Sequence, residues 1–310
     1  MGNLRDIRRH IRGIKSTQKI TRSMQMVAAT RMRRTQRRAL STRPYAEELS
    51  RLFFNLLGEE NFAHPLGEVR PVRHRTYLIV TSDRGLCGSF NSSLIRQTLP
   101  LLRKREQEGT TLSLIPIGRK GFQFFRRRGY SLTAHFTNLP SDPTTTLSEQ
   151  ILQSSLSLFT KGETDEVWLI FNRFVSTLVY EPVLKKLLPL QKEDLLKLQQ
   201  VRTGEKTSLL SAESIETIQK YKRPEPLFEP SQKEILDEML PRYLNTVILQ
   251  ALLESIACEY SARMTAMDQA TRNAEEIIGQ LTLSFNKARQ ASITKEILEV
   301  VGGAEALTKG

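Results

Sequence analysis

Residues 83–91 (DRGLCGSFN) lie where this chain would do chemistry if it did any. They follow the apolar run 76–82 (TYLIVTS), and the turn after a strand of an α/β domain is where a phosphate or nucleotide is held. Gly85 and Gly88 lack the G-x-G-x-x-G spacing, so a tight strand-to-helix turn with Ser92 or Asn91 capping the helix is the simpler reading. Cys87 becomes a nucleophile only beside a base, and no histidine lies near it in sequence. Residues 204–207 (GEKT) imitate a phosphate loop but lack its first glycine, its Gly-Lys-Thr order and a preceding strand. His10, His64, His74 and His135 are scattered, with no Cys or carboxylate at ligand spacing, so no metal site is expected. No Ser/His/Asp set or acid–base pair stands out. The expectation is a chain without cofactor that is not an enzyme by itself.

Charge carries more information. Lys+Arg number 46 against 33 Asp+Glu, a net of +13, and residues 1–43 hold thirteen of the bases against one acid, Asp6. Arg5, Arg8, Arg12, Lys15, Lys19 and Arg22 recur every 3.5 residues, one position after the apolar stripe Leu4, Ile7, Ile11 and Ile14 and its extrapolation. They form a cationic ridge along one helix face. A nucleic-acid arm would fit the charge, but residues 1–43 contain no aromatic side chain for base stacking. A solvated face and a surface facing an acidic protein remain as readings.

The elements that position this ridge follow from the breakers. All 13 prolines lie between Pro44 and Pro241. Two proline-free ends around a punctuated middle suggest two long helices flanking a globular domain. Met264, Met267, Thr271, Ala274, Ile278, Leu281, Phe285 and Ala288 repeat at the same 3.5 period as the N-terminal stripe. That period favours a left-handed coiled coil, here antiparallel because a domain separates the helices. Leu244, Val247, Ile248, Ala251, Leu252 and Ile256 form a wider stripe suited to packing on a domain. In the middle, apolar β-branched runs at 76–82, 112–117 and 166–171 alternate with helical patterns at 92–108, 118–128 and 145–160. The fold class is therefore α/β plus a long antiparallel coiled coil, with a central Rossmann-like parallel-sheet domain. The expected division is a coiled-coil helix over 1–60, the α/β domain over 74–190, an insertion or linker over 191–230 with a short helix near 211–220, and a second coiled-coil helix over 231–310.

Other classes are excluded as expectations. No uncharged apolar run reaches the roughly 18 residues a membrane span needs. The first residues have no apolar signal region. Two cysteines, Cys87 and Cys258, make no disulfide framework, so a reducing compartment is the default.

Three segments carry a family resemblance. Residues 16–34 (STQKITRSMQMVAATRMRR), 81–91 (TSDRGLCGSFN) and 285–307 (FNKARQASITKEILEVVGGAEAL) together resemble the gamma subunit of F-type ATP synthases, in order along nearly the whole chain. Segment 191–230 departs from the simplest bacterial members, and the paired cysteines of the chloroplast thiol switch are missing. The resemblance implies a non-catalytic rotor shaft inside three alpha and three beta subunits, whose foot sits with the epsilon subunit on the c-ring of F0. It also implies a peripheral place on the cytoplasmic face of the bacterial inner membrane, reached only through partners. It places Met24 where the shaft passes the beta subunits, and Arg289, Gln290, Thr294 and Glu296 near the catch loops of the catalytic subunits. Arg8, Arg12 and Lys15 of the ridge become candidates to face acidic loops of the beta subunits. Ile293, Ile297, Val300, Val301 and Leu307 would form an apolar tip in a bearing. The rivals are a coiled-coil adaptor whose basic arm binds nucleic acid and a nucleotide-binding enzyme built on the α/β domain.

Overall fold

A computed structural model describes residues 4–56, 64–177, 179–190 and 232–308 of the 310. The expected insertion over 191–230, with its short helix and the GEKT segment, lies outside the described residues. In chain order the elements are α1 (Leu4–Leu56), β1 (His74–Val80), α2 (Phe90–Gln107), β2 (Thr111–Ile117), α3 (Arg119–Arg127), α4 (Thr145–Thr160), β3 (Glu166–Phe174), β4 (Tyr180–Leu188) and α5 (Gln232–Thr308). The chain divides into two compact units, one of Met1–Met32, Leu86–Gly88 and Glu259–Gly310, the other of Arg33–Gly85 and Ser89–Cys258. Both long helices contribute to both units.

In the first unit α1 and α5 run antiparallel. Thr21 Oγ1 and Thr271 Oγ1 are 2.7 Å apart, Gln25 donates to Asp268 at 2.9 Å, and Arg31 donates to the Tyr260 hydroxyl at 3.3 Å. Toward the start of α1, Arg8 stands over the Phe285 ring at 5.3 Å. Rising numbers on one helix thus meet falling numbers on the other. Leu4, Ile7, Ile11, Ile14, Thr21, Ala28 and Met32 are buried or half-buried on α1, as is every position of the stripe Met264 to Ala288 on α5. The 3.5 period that favours a coiled coil has found its partner.

The second unit is built on a four-stranded sheet of order β2-β1-β3-β4. β1 is parallel to β2 and β3, with Tyr77 between Leu114 and Trp168. The last five residues of β1 are all buried, as a central strand covered on both faces requires. One face sets Leu78, Val80, Ile115, Ile117, Val167 and Leu169 against Ile151 and Phe159 of α4 and Leu244, Ile248 and Leu252 of α5. The other sets Tyr77, Ile79, Leu112, Leu114 and Ile170 against Leu94 and Leu102 of α2 and Phe125 of α3. Alternation by two along each strand feeds the two layers.

The sheet is parallel-dominated, as expected, with β4 added antiparallel to β3 at its edge. Only five residues join these strands, too few for the crossover that a parallel neighbour needs. The α2 cap is Ser89, without a side-chain bond, rather than Asn91 or Ser92. Asn91 is engaged elsewhere: its Oδ1 accepts from Ser82 N at 2.9 Å and its Nδ2 donates to Ser82 Oγ at 2.7 Å.

Both long helices also run through the prolines that bracket the proline-free ends, Pro44 in α1 and Pro241 in α5. A proline inside a helix costs about 3 kcal/mol. The turns beyond them bury Leu49, Leu236 and Leu240 in the core, and each buried aliphatic side chain contributes roughly 1.5–3 kcal/mol.

Candidate functional site

The turn that looked most like a chemical site is filled by the chain itself. Asp83 follows β1, and its Oδ1 accepts from the backbone N–H of Arg119 at 2.8 Å, at the start of α3. Its other oxygen accepts from Leu139 N. A helix N-terminus beside parallel strands is where this class of fold holds a phosphate; here a carboxylate of the same chain stands there. The approach is closed further by Gly118, at φ +102°, whose missing Cβ would lie 2.2 Å from the Thr81 carbonyl oxygen. Thr81 Oγ1 accepts from Gly121 N at 2.9 Å and donates to the Ile117 carbonyl at 3.1 Å. Thr81, Ser82, Asp83, Asn91, Gly118 and Gly121 therefore lock strand ends to helix starts. The nucleotide-enzyme reading loses its pocket.

The other reactive side chains are also engaged structurally. Cys87 is buried. Cys258 is fully buried, its thiol donates to the Asn172 carbonyl at 3.4 Å, and burial, then the Glu254 carboxylate, pushes its pKa well up. Such a thiol is inert packing. His64 accepts from Leu66 N at 3.0 Å and meets Asp237 at 2.8 Å, while His135 stacks on Phe122 with centroids 4.2 Å apart. No group of three metal-ligating side chains forms among the described residues.

The surface of the helical pair is the remaining candidate, and all eight sequence-derived site residues lie on it. Met24 is half-buried beside the seam, between buried Thr21 and Ala28. Arg8, Arg12 and Lys15 are exposed on α1, and Arg289, Gln290, Thr294 and Glu296 on α5. Among the described residues no carboxylate pairs with Arg12, Lys15, Lys19 or Arg22, whereas Arg9 off the ridge holds Asp6 at 2.8 Å.

The register separates the two ends of α5. Arg8 meets Phe285, so Leu4 reaches about the level of Ala288, and residues beyond it have no α1 partner among those described. Ile293, Ile297, Val300 and Val301 are 48 to 72% exposed there; the Leu307 side chain lies outside the described residues. The structure brings the ridge and Met24 onto one helix and the polar quartet onto the unpaired end of the other.

Sequence reasoning missed three clusters. Asp142 holds both Arg34 (3.2 Å) and Arg38 of α1. Glu166 binds Arg75 at 2.6 Å, Lys186 at 3.4 Å and the Trp168 indole at 3.0 Å, all largely buried. A second basic concentration surrounds the ends of α2 and α3; the run Arg126-Arg127-Arg128 was its available signal.

The comparisons with known proteins agree with this geometry. A family model described as ATP synthase matches residues 3–307. The ATP synthase gamma chain of Pelotomaculum thermopropionicum is 43% identical over 308 residues, covering 99% of this chain and 100% of that one. That of Heliobacterium modesticaldum is 42% identical over 310 residues, with the same coverage. Among solved structures, the rotor of the Euglena gracilis mitochondrial ATP synthase superposes with a TM-score of 0.62 at 17% identity, covering 94% of this chain and 98% of that one. The central stalk and c-ring structure of the Tetrahymena thermophila enzyme gives 0.57 at 24% identity, covering 81% and 99%. At such identities these two speak for the fold.

Proposed function

The chain belongs to the ATP synthase gamma-chain family, and from that premise we propose that it is the central rotor shaft of an F1F0 ATP synthase. It couples ion-driven rotation of the c-ring to ATP synthesis on the beta subunits and is itself non-catalytic. Its partners are three alpha and three beta subunits, the epsilon subunit and the c-ring. It is peripheral on the cytoplasmic face of the bacterial inner membrane; no described helix is long and apolar enough to cross a membrane.

One observation supports this reading above the rest. α1 runs unbroken over 53 residues and α5 over 77, roughly 80 and 115 Å, and each belongs to both units of the chain. A torque applied to one unit reaches the other through continuous hydrogen-bonded backbone rather than through a loop.

The coupling itself is thermodynamic. A shaft with two unlike helices has no threefold symmetry, so each beta subunit meets different side chains at any angle. Such contacts shift a nucleotide site only by their difference in free energy between its conformations. A 10⁴-fold redistribution needs roughly 5.5 kcal/mol, the scale of several charged contacts rather than one. The ridge residues Arg8, Arg12 and Lys15, exposed on α1, supply such contacts to acidic loops. Arg289, Gln290, Thr294 and Glu296 supply polar ones on α5, and Met24 occupies a position where a new charge disturbs both seam and partner.

The deciding measurement is the ATPase activity of the cognate alpha and beta subunits assembled with and without this chain, with the chain alone as control. Assembly of one copy per ring with restored steady turnover is expected. ATP hydrolysis by the chain alone, or failure to join the ring, overturns the reading in favour of the enzyme or the adaptor.

A further inference from the structure

Residues 137–144 (TNLPSDPT) form a strap tied at both ends to the α/β fold. Just before it, Phe136 is held to β2, its N–H donating to the Pro116 carbonyl at 3.0 Å and its carbonyl accepting from Gly118 N at 2.7 Å. Asn138, at φ +61°, accepts from the Arg119 guanidinium of α3, and Leu139 N donates to Asp83 after β1. At the far end Thr144 caps α4, its side chain accepting from Leu147 N at 3.4 Å. Between these fixings Pro140 and Pro143 lock φ, and Pro143 is buried. From this stiffened segment Asp142 reaches α1, where it holds Arg34 at 3.2 Å and Arg38. The two arginines stand one helical turn apart on the same face, so a single carboxylate grips a full turn.

The grip falls on the first turns that α1 makes within the α/β unit, which begins at Arg33. There Ala39 packs on Leu249 and Leu253 of α5, a contact of helix with helix. On another side Gln36, Ala39 and Leu40 border a cavity of about 150 Å³ shared with Phe174 and Val175 at the end of β3. A void forfeits the dispersion contacts that would otherwise fix the helix to that strand. The ion pairs to Asp142 thus hold α1 to the α/β fold in a stretch where a cavity interrupts the packing.

We propose that this strap fixes α1 against the α/β fold under torsional load, with Asp142 as the positioning residue that carries the load between them. The proposal deepens the rotor reading and rests on it. The strap acts at the periphery of α1, where a force has its lever arm about the helix axis. A guanidinium fork on a carboxylate is directional, so it resists a sliding motion that an apolar contact tolerates. The side chains are 36 to 78% exposed, and pairs so exposed contribute little to stability. Removing them therefore leaves a folded chain in which stiffness alone can be read.

The test is made in the assembled alpha–beta ring, fixed to a surface and stalled, with a reporter particle attached through Glu163→Cys, an exposed position after α4. Asp142→Asn should leave ATP-driven rotation in place and widen the angular distribution of the stalled shaft. Arg34→Gln with Arg38→Gln should widen it as much, and the reversed set Asp142→Arg, Arg34→Glu and Arg38→Glu should narrow it again. In the full chain alone, Asp142→Asn should speed amide hydrogen exchange about fivefold in residues 33–42 and 137–144. The thermal midpoint should move by no more than about 4 °C. An unchanged angular width, or unchanged exchange in both segments, overturns the strap while a rotating shaft keeps the rotor reading intact. Widening that the reversed set does not correct means a loosened loop rather than a lost grip, and overturns it too. A wild-type chain that does not turn in the ring removes the rotor reading itself, and the strap with it.

Discussion

At the residue scale, side chains that resemble a reactive set turn out to brace the fold, and Asp83 and Glu166 carry most of that task. Burial alone would raise the Glu166 pKa. The Trp168 and Arg75 hydrogen bonds and the Lys186 and Arg75 charges outweigh it and hold the carboxyl below its usual range. A group depressed on folding stabilises fully above its unfolded value and loses that contribution as pH falls through the folded one. Unfolding of the wild type should therefore become easier below the ordinary glutamate range. Glu166→Gln should flatten that part of the profile while costing about 3 kcal/mol at neutral pH, because Arg75 and Lys186 lose their buried partner. Urea titrations across pH read both effects; an unchanged acid limb would show that the cluster is not what titrates. Gly118→Ala should be worse, about 4 kcal/mol or more, since it adds strain at φ +102° to a collision with the Thr81 backbone. A variant that melts like the wild type would mean the two strand ends are looser than described.

At the element scale, the seam is legible as a period and the partnering is not. The stripes at 3.5 spacing announce a coiled coil, but the pairing of Thr21 with Thr271 emerges only when the helices meet in register. Each hydroxyl also lies within reach of a carbonyl of its own helix, Thr21 of Gln18 and Thr271 of Met267, so one threonine donates across the seam while the other donates back to its own helix. Thr21→Val alone should then cost about 1 kcal/mol, and the double change Thr21→Val with Thr271→Val less than the sum of the singles. A double-mutant cycle by thermal unfolding measures the difference, and strict additivity would separate the two hydroxyls. The same register leaves α5 beyond Ala288 without a partner helix among the described residues. Removing residues 289–310 should leave unfolding stability within roughly 0.5 kcal/mol, as for surface changes that break no packing. A larger loss would mean that the terminal segment packs on the pair.

At the scale of the whole molecule, charge divides the tasks. Net charge +13 is concentrated at one end, and among the described residues no carboxylate pairs with Arg12, Lys15, Lys19 or Arg22. Reversing Arg12, Lys15 and Lys19 to glutamate should lower coupled ATP synthesis in the reassembled complex while the chain remains folded, because these side chains are exposed on α1. Unchanged synthesis rates with that triple variant would remove the ridge from the coupling surface. Salt should mimic the variant in part, since screening acts within about 10 Å at 0.1 M.

The amino-acid sequence by itself determined the two long helices, their 3.5 period, the alternating strands and helices of the middle and the cationic ridge. All of these are local or periodic properties, written in spacing and in the placement of prolines. Tertiary structure decided the rest. Whether the turn at 83–91 holds a ligand depended on Asp83 reaching the start of α3 36 residues away. The antiparallel turn of β4, the continuation of both helices through Pro44 and Pro241, and the convergence of Arg34 and Arg38 on Asp142 each depend on partners distant in sequence. A period names the face of an element; only packing names what that face meets.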